Sequence, residues 1–151
     1  MKLTNRLRAI ASKVKTQSIV ADIGTDHAYI PVFLVAHSIS NKVIACDINE
    51  GPLQRANNHI IQNNLQYKIE TRLGSGLKVI KPNEVDTVII AGMGGVLITE
   101  ILQESVDIIK TVKRLILQPM VGQEVVRAWL NKNGYIIIDE ELSKEDRKAQ
   151  K

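Results

Sequence analysis

With 151 residues, 44% hydrophobic and 24% charged, the chain has the size and balance of one soluble globular domain, residues 1–151, with a buried core. No apolar run reaches a membrane span or a signal-peptide core, and the single cysteine, Cys46, excludes an intramolecular disulfide and a cysteine-rich metal site, so a cytoplasmic protein without membrane or metal is expected. The net charge of +4 is unevenly placed, with no acid before Asp22 and basic residues in both terminal stretches, which suits a polyanion such as RNA as readily as it suits a solvated helix face and a polar tail.

The first element is a short basic helix, residues 1–16. In "LTNRLRAIASKV" the residues Leu3, Leu7, Ile10, Ala11 and Val14 recur at helical spacing, with Thr4 as a cap and Arg6, Arg8 and Lys13 turned outward. Short β-branched runs follow: "SIVADIG", "KVIACDI", "KIETRL", "VDTVIIAG", "VKRLILQP" and "YIIIDEEL". Helical patterns separate most of them, at Pro31 to His37, Pro52 to Asn63, Val96 to Ile109 and Gln123 to Asn133. Pro31 and Pro52 suit first-turn positions, and Gly134 suits a helix stop.

Several of these runs are apolar at consecutive positions, as strands covered on both faces must be. Strands alternating with helices imply right-handed crossovers and an open, mostly parallel sheet. The fold expected is therefore α/β, a Rossmann-like three-layer sandwich behind a short N-terminal helix. Its last strand, "YIIIDEEL", lies near the edge, where a sheet of this kind commonly adds a further strand; either that edge is open or the chain is cut short.

Ligands of open parallel sheets sit beyond the carboxyl ends of the strands. The residues there are Asp22 to Asp26, Asp47 with Ile48, Gly74 to Gly76, Gly92 to Gly95, and Gln118 with Pro119. Gly24 lets the backbone turn sharply and a ligand approach closely. Asp47 ends the second strand about 20 residues after that turn, where an acid grips ribose hydroxyls.

A dinucleotide site needs G-x-G-x-x-G to cradle a pyrophosphate. Here Gly24 stands alone, and Asp26 occupies the place of the second glycine. A carboxylate there repels pyrophosphate but suits S-adenosylmethionine, which has no phosphate and carries an ammonium and a sulfonium. Taken singly, Asp22 and Asp26 read equally as turn or cap residues.

"LGSGL" places Ser75 against the adenine ring of that cofactor, with Gly74 and Gly76 opening the space, or is a plain glycine loop. In "IAGMGG", Gly92, Met93 and Gly94 bring bare backbone to the cofactor's reactive end, with free N–H groups at residues 94 to 96. His27 and Tyr29 lie in the first loop and flank an acceptor base, or pack. His37, His59 and Cys46 read as structural, Trp129 as helix packing. The three histidines have no ligand spacing, and nothing calls for an obligate protein partner.

With these motifs assembled, the chain resembles the bacterial tRNA adenine-22 N1-methyltransferase family. The resemblance rests on "ADIGTDHAYIP", "EGPLQRA", "RLGSGL", "VDTVIIAGMGG" and "RLILQP" followed by "WLNKNGYIIIDEE", from about residue 4 to 142. It implies a class I methyltransferase that moves a methyl group from S-adenosylmethionine to an adenine N1 in tRNA. Asp22, Gly24 and Asp26 would hold the methionine part, Asp47 the ribose, Ser75 the adenine side, and Gly92, Met93 and Gly94 the transfer site, with Ile48 also among the cofactor-binding residues. The resemblance further implies a C-terminal helical domain that this chain lacks, and such enzymes often carry an acid where Ser75 stands.

Adenine N1 needs no general base, so alignment and charge stabilisation would carry the reaction, with Asp26 beside the ring and His27 and Tyr29 positioning it. Three other readings stay open: a methyltransferase of another RNA or a small molecule, a non-catalytic Rossmann-like nucleic-acid-binding module, and a nicotinamide-dependent oxidoreductase, which the broken glycine fingerprint disfavours.

Overall fold

A computed structural model describes residues 3–141. The N-terminal helix α1 (Asn5–Ser12) is followed by β1 (Ile19–Ile23), α2 (Tyr29–Ala36), β2 (Lys42–Asp47), α3 (Glu50–Gln62) and β3 (Ile69–Leu73). The second half contains β4 (Thr87–Met93), α4 (Gly95–Glu104), α5 (Val106–Ile109), β5 (Arg114–Pro119) and α6 (Gln123–Lys132). All pairings are parallel and the strand order is β3-β2-β1-β4-β5. The order therefore reverses between β1 and β4, which opens a crevice at their carboxyl ends.

Alternation along the strands builds two cores. Val20, Val43, Ala45 and Ile89 point to the face covered by α1, α2 and α3. Ala21, Ile44, Cys46 and Ile90 point to the other, against Ile98, Leu102 and Val126 of α4 and α6. Each fully buried Ile or Leu adds roughly 1.5–3 kcal/mol of transfer free energy. That layering is the three-layer sandwich expected from the apolar runs.

Local signals held at several ends. Thr4 caps α1 by accepting from the Leu7 N–H at 3.2 Å. Pro31 and Pro52 both fall in first turns, and Gly134 takes φ +82° just beyond α6. Among the described residues, no helix is long and apolar enough to cross a membrane.

Four expectations need correction. The segment of "YIIIDEEL" within the described residues forms no strand, and Ile136 and Ile138 are 85% and 77% exposed. A strand exists through its ladder, and among the described residues no strand pairs with this segment. Its side chains instead reach to helices: Asp139 and Glu141 bind Lys13, and Glu140 binds Arg127. The helix expected over Val96 to Ile109 is broken at Ser105, whose φ of −132° and ψ of 43° leave the helical region.

The N-terminal helix is shorter than residues 1–16, and its basic face is not wholly outward. Arg6 turns inward to Gln118, and Lys13 is held by the two acids just named. The terminal cluster Lys144, Arg147, Lys148 and Lys151 lies outside the described residues.

Candidate active site

The exits of β1 and β2 are stitched together by backbone. β1 ends where Gly24 takes φ +73°, and the N–H groups of Gly24 and Thr25 both donate to the Cys46 carbonyl, at 2.9 and 2.8 Å. Asp26 and Ala28 then adopt φ +58° and +62°. Two non-glycine residues in the left-handed region cost roughly 1–2 kcal/mol each, and strain of that kind gathers at functional loops. The loop is held in shape by its surroundings rather than by its own preference.

Asp22 is 4% exposed and accepts a hydrogen bond from the Thr25 hydroxyl at 2.8 Å. Burial pushes its carboxyl up to about 7; the Thr25 hydroxyl opposes the shift and the charge of Asp47 adds to it. Asp47 is also buried, and each of its oxygens takes one backbone donor. The Asp26 N–H reaches Oδ2 at 3.2 Å and the Asn49 N–H reaches Oδ1 at 3.1 Å. One lone pair remains on each oxygen, the arrangement that accepts two vicinal hydroxyls.

Ile48 and Leu73, at the adjoining strand ends, are 61% and 48% exposed and lay apolar surface at the same rim. The Gly74 N–H donates to the Asp47 carbonyl at 2.9 Å, which fixes the loop bearing the exposed Ser75 beside them. The two glycines around Ser75 are required by the protein's own packing. A Cβ at Gly74 would fall 2.1 Å from Val79 Cγ1, and one at Gly76 would fall 3.2 Å from Ile101 Cγ2.

At the exit of β4, Gly92 takes φ +80° and its N–H donates to Gln118 Oε1 at 3.0 Å. Arg6 Nη1 donates to the same oxygen at 3.1 Å. Met93 reaches across to Gly24, so the β1 and β4 turns share one wall. Of the N–H groups expected to be free at residues 94 to 96, that of Gly95 is already given to the Val121 carbonyl at 2.7 Å.

His27 and Tyr29 do not leave a slot for a base. Their rings are stacked on each other, centroids 5.1 Å apart and 7° from parallel, so a base meets only an outer face of the pair. His27 Nδ1 lies 3.3 Å from Asp26 Oδ2 but out of line for a hydrogen bond. The edge of His59 meets Tyr29, and His59 Nδ1 bonds the His27 carbonyl at 2.9 Å. His59 is thus a structural residue, but one that braces the site.

Outside the site, His37 bonds and stacks on Phe33, and Trp129 bonds Gln103 and stacks on Tyr135, both in packing roles. Cys46 is a buried thiol pushed up to about 12 by burial and therefore inert. A separate concavity of about 500 Å³ lies at the amino end of β3, near Lys68 and Tyr67, away from the carboxyl ends where these groups meet.

Asp22, Gly24, Asp26, Asp47, Gly92 and Met93 thus gather at one rim. The sequence reading missed Thr25, Arg6 and the role of Gln118. Thr25 was legible as a hydroxyl three residues after an acid at a turn, whereas Arg6 and Gln118 are 112 residues apart and share no local pattern. Chemically, the rim offers buried anions, a glycine turn and apolar walls. It suits a ligand with a cation and a ribose and is hostile to a diphosphate.

A family model described as a methyltransferase domain matches residues 3–150. The chain is 40% identical over 149 residues to the tRNA (adenine(22)-N(1))-methyltransferase of Bacillus subtilis (strain 168), covering 99% of this chain and 63% of that enzyme. The crystal structure of the B. subtilis M1A22 tRNA methyltransferase TrmK is similar at a TM-score of 0.90 and 39% identity, over 96% of this chain and 62% of that one. TrmK of M. capricolum, solved with S-adenosylhomocysteine, is similar at a TM-score of 0.86 and 32% identity, over 97% of this chain and 65% of that one. The chain spans a little under two thirds of the length of the curated relatives it matches, 63% in each case.

Proposed function

The chain belongs to the methyltransferase-domain family, beside the bacterial tRNA (adenine-22-N1)-methyltransferases, and on that premise we propose that it methylates N1 of adenine 22 in tRNA. Residues 1–151 then form its cofactor-binding domain, acting in the cytoplasm. The cofactor is S-adenosylmethionine, which supplies a methyl group on a positively charged sulfur.

The residues present fit that group. Asp22 is a carboxylate buried without a cation partner among the described residues, and a ligand ammonium would supply one. Gly24 lets the methionine part approach the turn, and Asp26 adds a second negative charge. The remaining lone pairs of Asp47 accept the ribose hydroxyls, while Ile48 and Ser75 border the adenine. Gly92, Met93 and Gly94 line the place of transfer. Support for this assignment over a nicotinamide dinucleotide comes from one relationship: the only turn glycine on β1, Gly24, is flanked by acids where a pyrophosphate would need donors.

Adenine N1 already holds a lone pair at neutral pH, so the protein has no proton to remove from it. Its work is to align the ring with the methyl carbon and to exclude water. The ring gains positive charge as the new bond forms. Asp26, whose carboxylate is 64% exposed at the rim, stabilises that charge, and the outer face of the His27–Tyr29 pair positions the base. A target adenine inside folded tRNA must be unstacked to reach this rim.

Incubation with unmodified tRNA and labelled S-adenosylmethionine, followed by mass-spectrometric mapping, tests the proposal. One methyl group on N1 of adenine 22 is expected. Methylation elsewhere on RNA or on a small molecule would overturn the substrate, and a thermal shift with NAD but none with S-adenosylhomocysteine would overturn the cofactor.

A further inference from the structure

Beside the rim, between the β1–α2 loop and α3, runs an open groove of about 260 Å³ lined by His27, Tyr29, Arg55, Asn58, His59 and Gln62. We propose that this groove is an RNA subsite, holding a nucleotide next to the methylated adenosine in the strand. The inference rests on the methyltransferase reading and adds to it a place on the protein where the substrate strand is gripped.

Three observations carry it. The first is an exposed cation with nothing to do: Arg55 makes no ion pair and no side-chain hydrogen bond among the described residues. Its guanidinium lies back along the first turn of α3, with Nη1 3.7 Å from where a Cβ of Gly51 would stand. A free, planar fork of donors at a groove mouth is suited to a phosphate.

The second observation is a rigid aromatic surface. His27 and Tyr29 are stacked, Tyr29 meets the edge of His59, and His59 is tied to the loop backbone. Tyr29 is nevertheless 38% exposed. A ring held by two neighbours and still exposed to the groove gives a ribose or a base edge a fixed surface that loses little freedom on contact.

The third is the polar wall. Asn58 and Gln62 stand one turn apart on α3 and both are exposed, offering amide donors and acceptors to a base edge or a ribose hydroxyl. Phosphate donor, fixed aromatic surface and amide pair together match a single-stranded nucleotide better than an apolar peptide or a lipid. The loop that forms one side of the groove also carries Asp26, so a strand held here leads directly to the reacting base.

The test compares wild type with Arg55→Gln and Arg55→Lys, reading the binding of unmodified tRNA by fluorescence anisotropy across a salt series. Arg55→Gln is expected to weaken binding severalfold and to lower the slope of log affinity against log salt by about 0.7–0.9, with Arg55→Lys restoring most of the slope. The thermal shift with S-adenosylhomocysteine is expected to be the same in all three. Wild-type affinity and slope in Arg55→Gln would overturn the subsite, as would absence of tRNA binding by a wild-type chain that still binds S-adenosylhomocysteine. Loss of S-adenosylhomocysteine binding in the wild type would instead overturn the cofactor reading beneath it.

Discussion

Met93 occupies the space that any side chain at position 24 would need: a Cβ built on Gly24 lies 2.6 Å from Met93 Cε. Gly24 also takes φ +73°, so two separate costs meet any substitution there. The clash is with the flexible end of a methionine and is relieved by rotation, whereas the backbone strain is not.

Gly24→Ala is therefore expected to cost about 1–2 kcal/mol of stability, mainly from the left-handed backbone. Displaced Met93 then intrudes on the transfer site, so turnover falls further than stability does. Adding Met93→Ala in the same chain removes the clash but not the strain. Urea denaturation and single-turnover methylation on the three variants separate the two terms, and additive behaviour would show that the residues do not meet.

Asp22 makes the stability of the free protein depend on pH. Its folded value of about 7 is above the ordinary 3.8, so between those limits the folded state holds a proton that the unfolded state releases. Its contribution is most favourable at acid pH and is lost as pH rises through 7. Asp22→Asn removes that loss and is expected to stabilise the ligand-free chain at pH 8, by roughly 4 kcal/mol at most, while leaving stability at pH 4 little changed. The same variant should lose most affinity for S-adenosylhomocysteine. Urea melts at the two pH values check the sign, and equal destabilisation at both would refute it.

Asp26→Asn keeps a residue type that tolerates the left-handed backbone, so the fold should change by less than about 0.5 kcal/mol. If Asp26 has the role proposed for it, charge stabilisation of the adenine ring is lost and methyl transfer falls by roughly 100-fold or more. Quench-flow measurement with saturating cofactor reads the chemical step directly. A wild-type rate in this variant removes Asp26 from the chemistry.

The basic N-terminal segment, α1 with the turn that follows it, is not uniform in what it offers to RNA. Lys13 is engaged by Asp139 and Glu141, and Arg6 is engaged by Gln118, whereas Arg8 and Lys15 are exposed and make no ion pair among the described residues. Arg8→Gln and Lys15→Gln are each expected to reduce the salt slope of tRNA binding by roughly 0.7–0.9, and Lys13→Gln by less. Filter binding at four salt concentrations distinguishes them, and equal slopes across the set would remove α1 from the interface.

The sheet and its rim were legible because they rest on local rules. Runs such as "TVIIAG" are apolar at successive positions, which only a strand covered on both faces requires, and all but that of β5 end in an acid or a glycine. Asp47 was readable from its distance along the chain to Gly24. The run at residues 135–141 has the same β-branched character, yet its state depends on a partner strand, which no local pattern reports. Left-handed backbone at Ala28 is equally invisible, since alanine carries no signal for it. The bridge from Arg6 through Gln118 to Gly92 joins residues up to 112 positions apart, and only the folded topology brings them together.

Because the five strands all run in one direction, the links around Ser38 and Lys110 collect on the side of the molecule remote from the chemistry, and both residues are exposed. The sole cysteine in the sequence is sealed in β2 with its thiol held protonated. A single Lys110→Cys change therefore gives a fluorophore one place to attach, with no competing thiol to remove first. The molecule is ready-made for spectroscopy that tests, from a probe fixed at one pole, whether RNA arrives at the other.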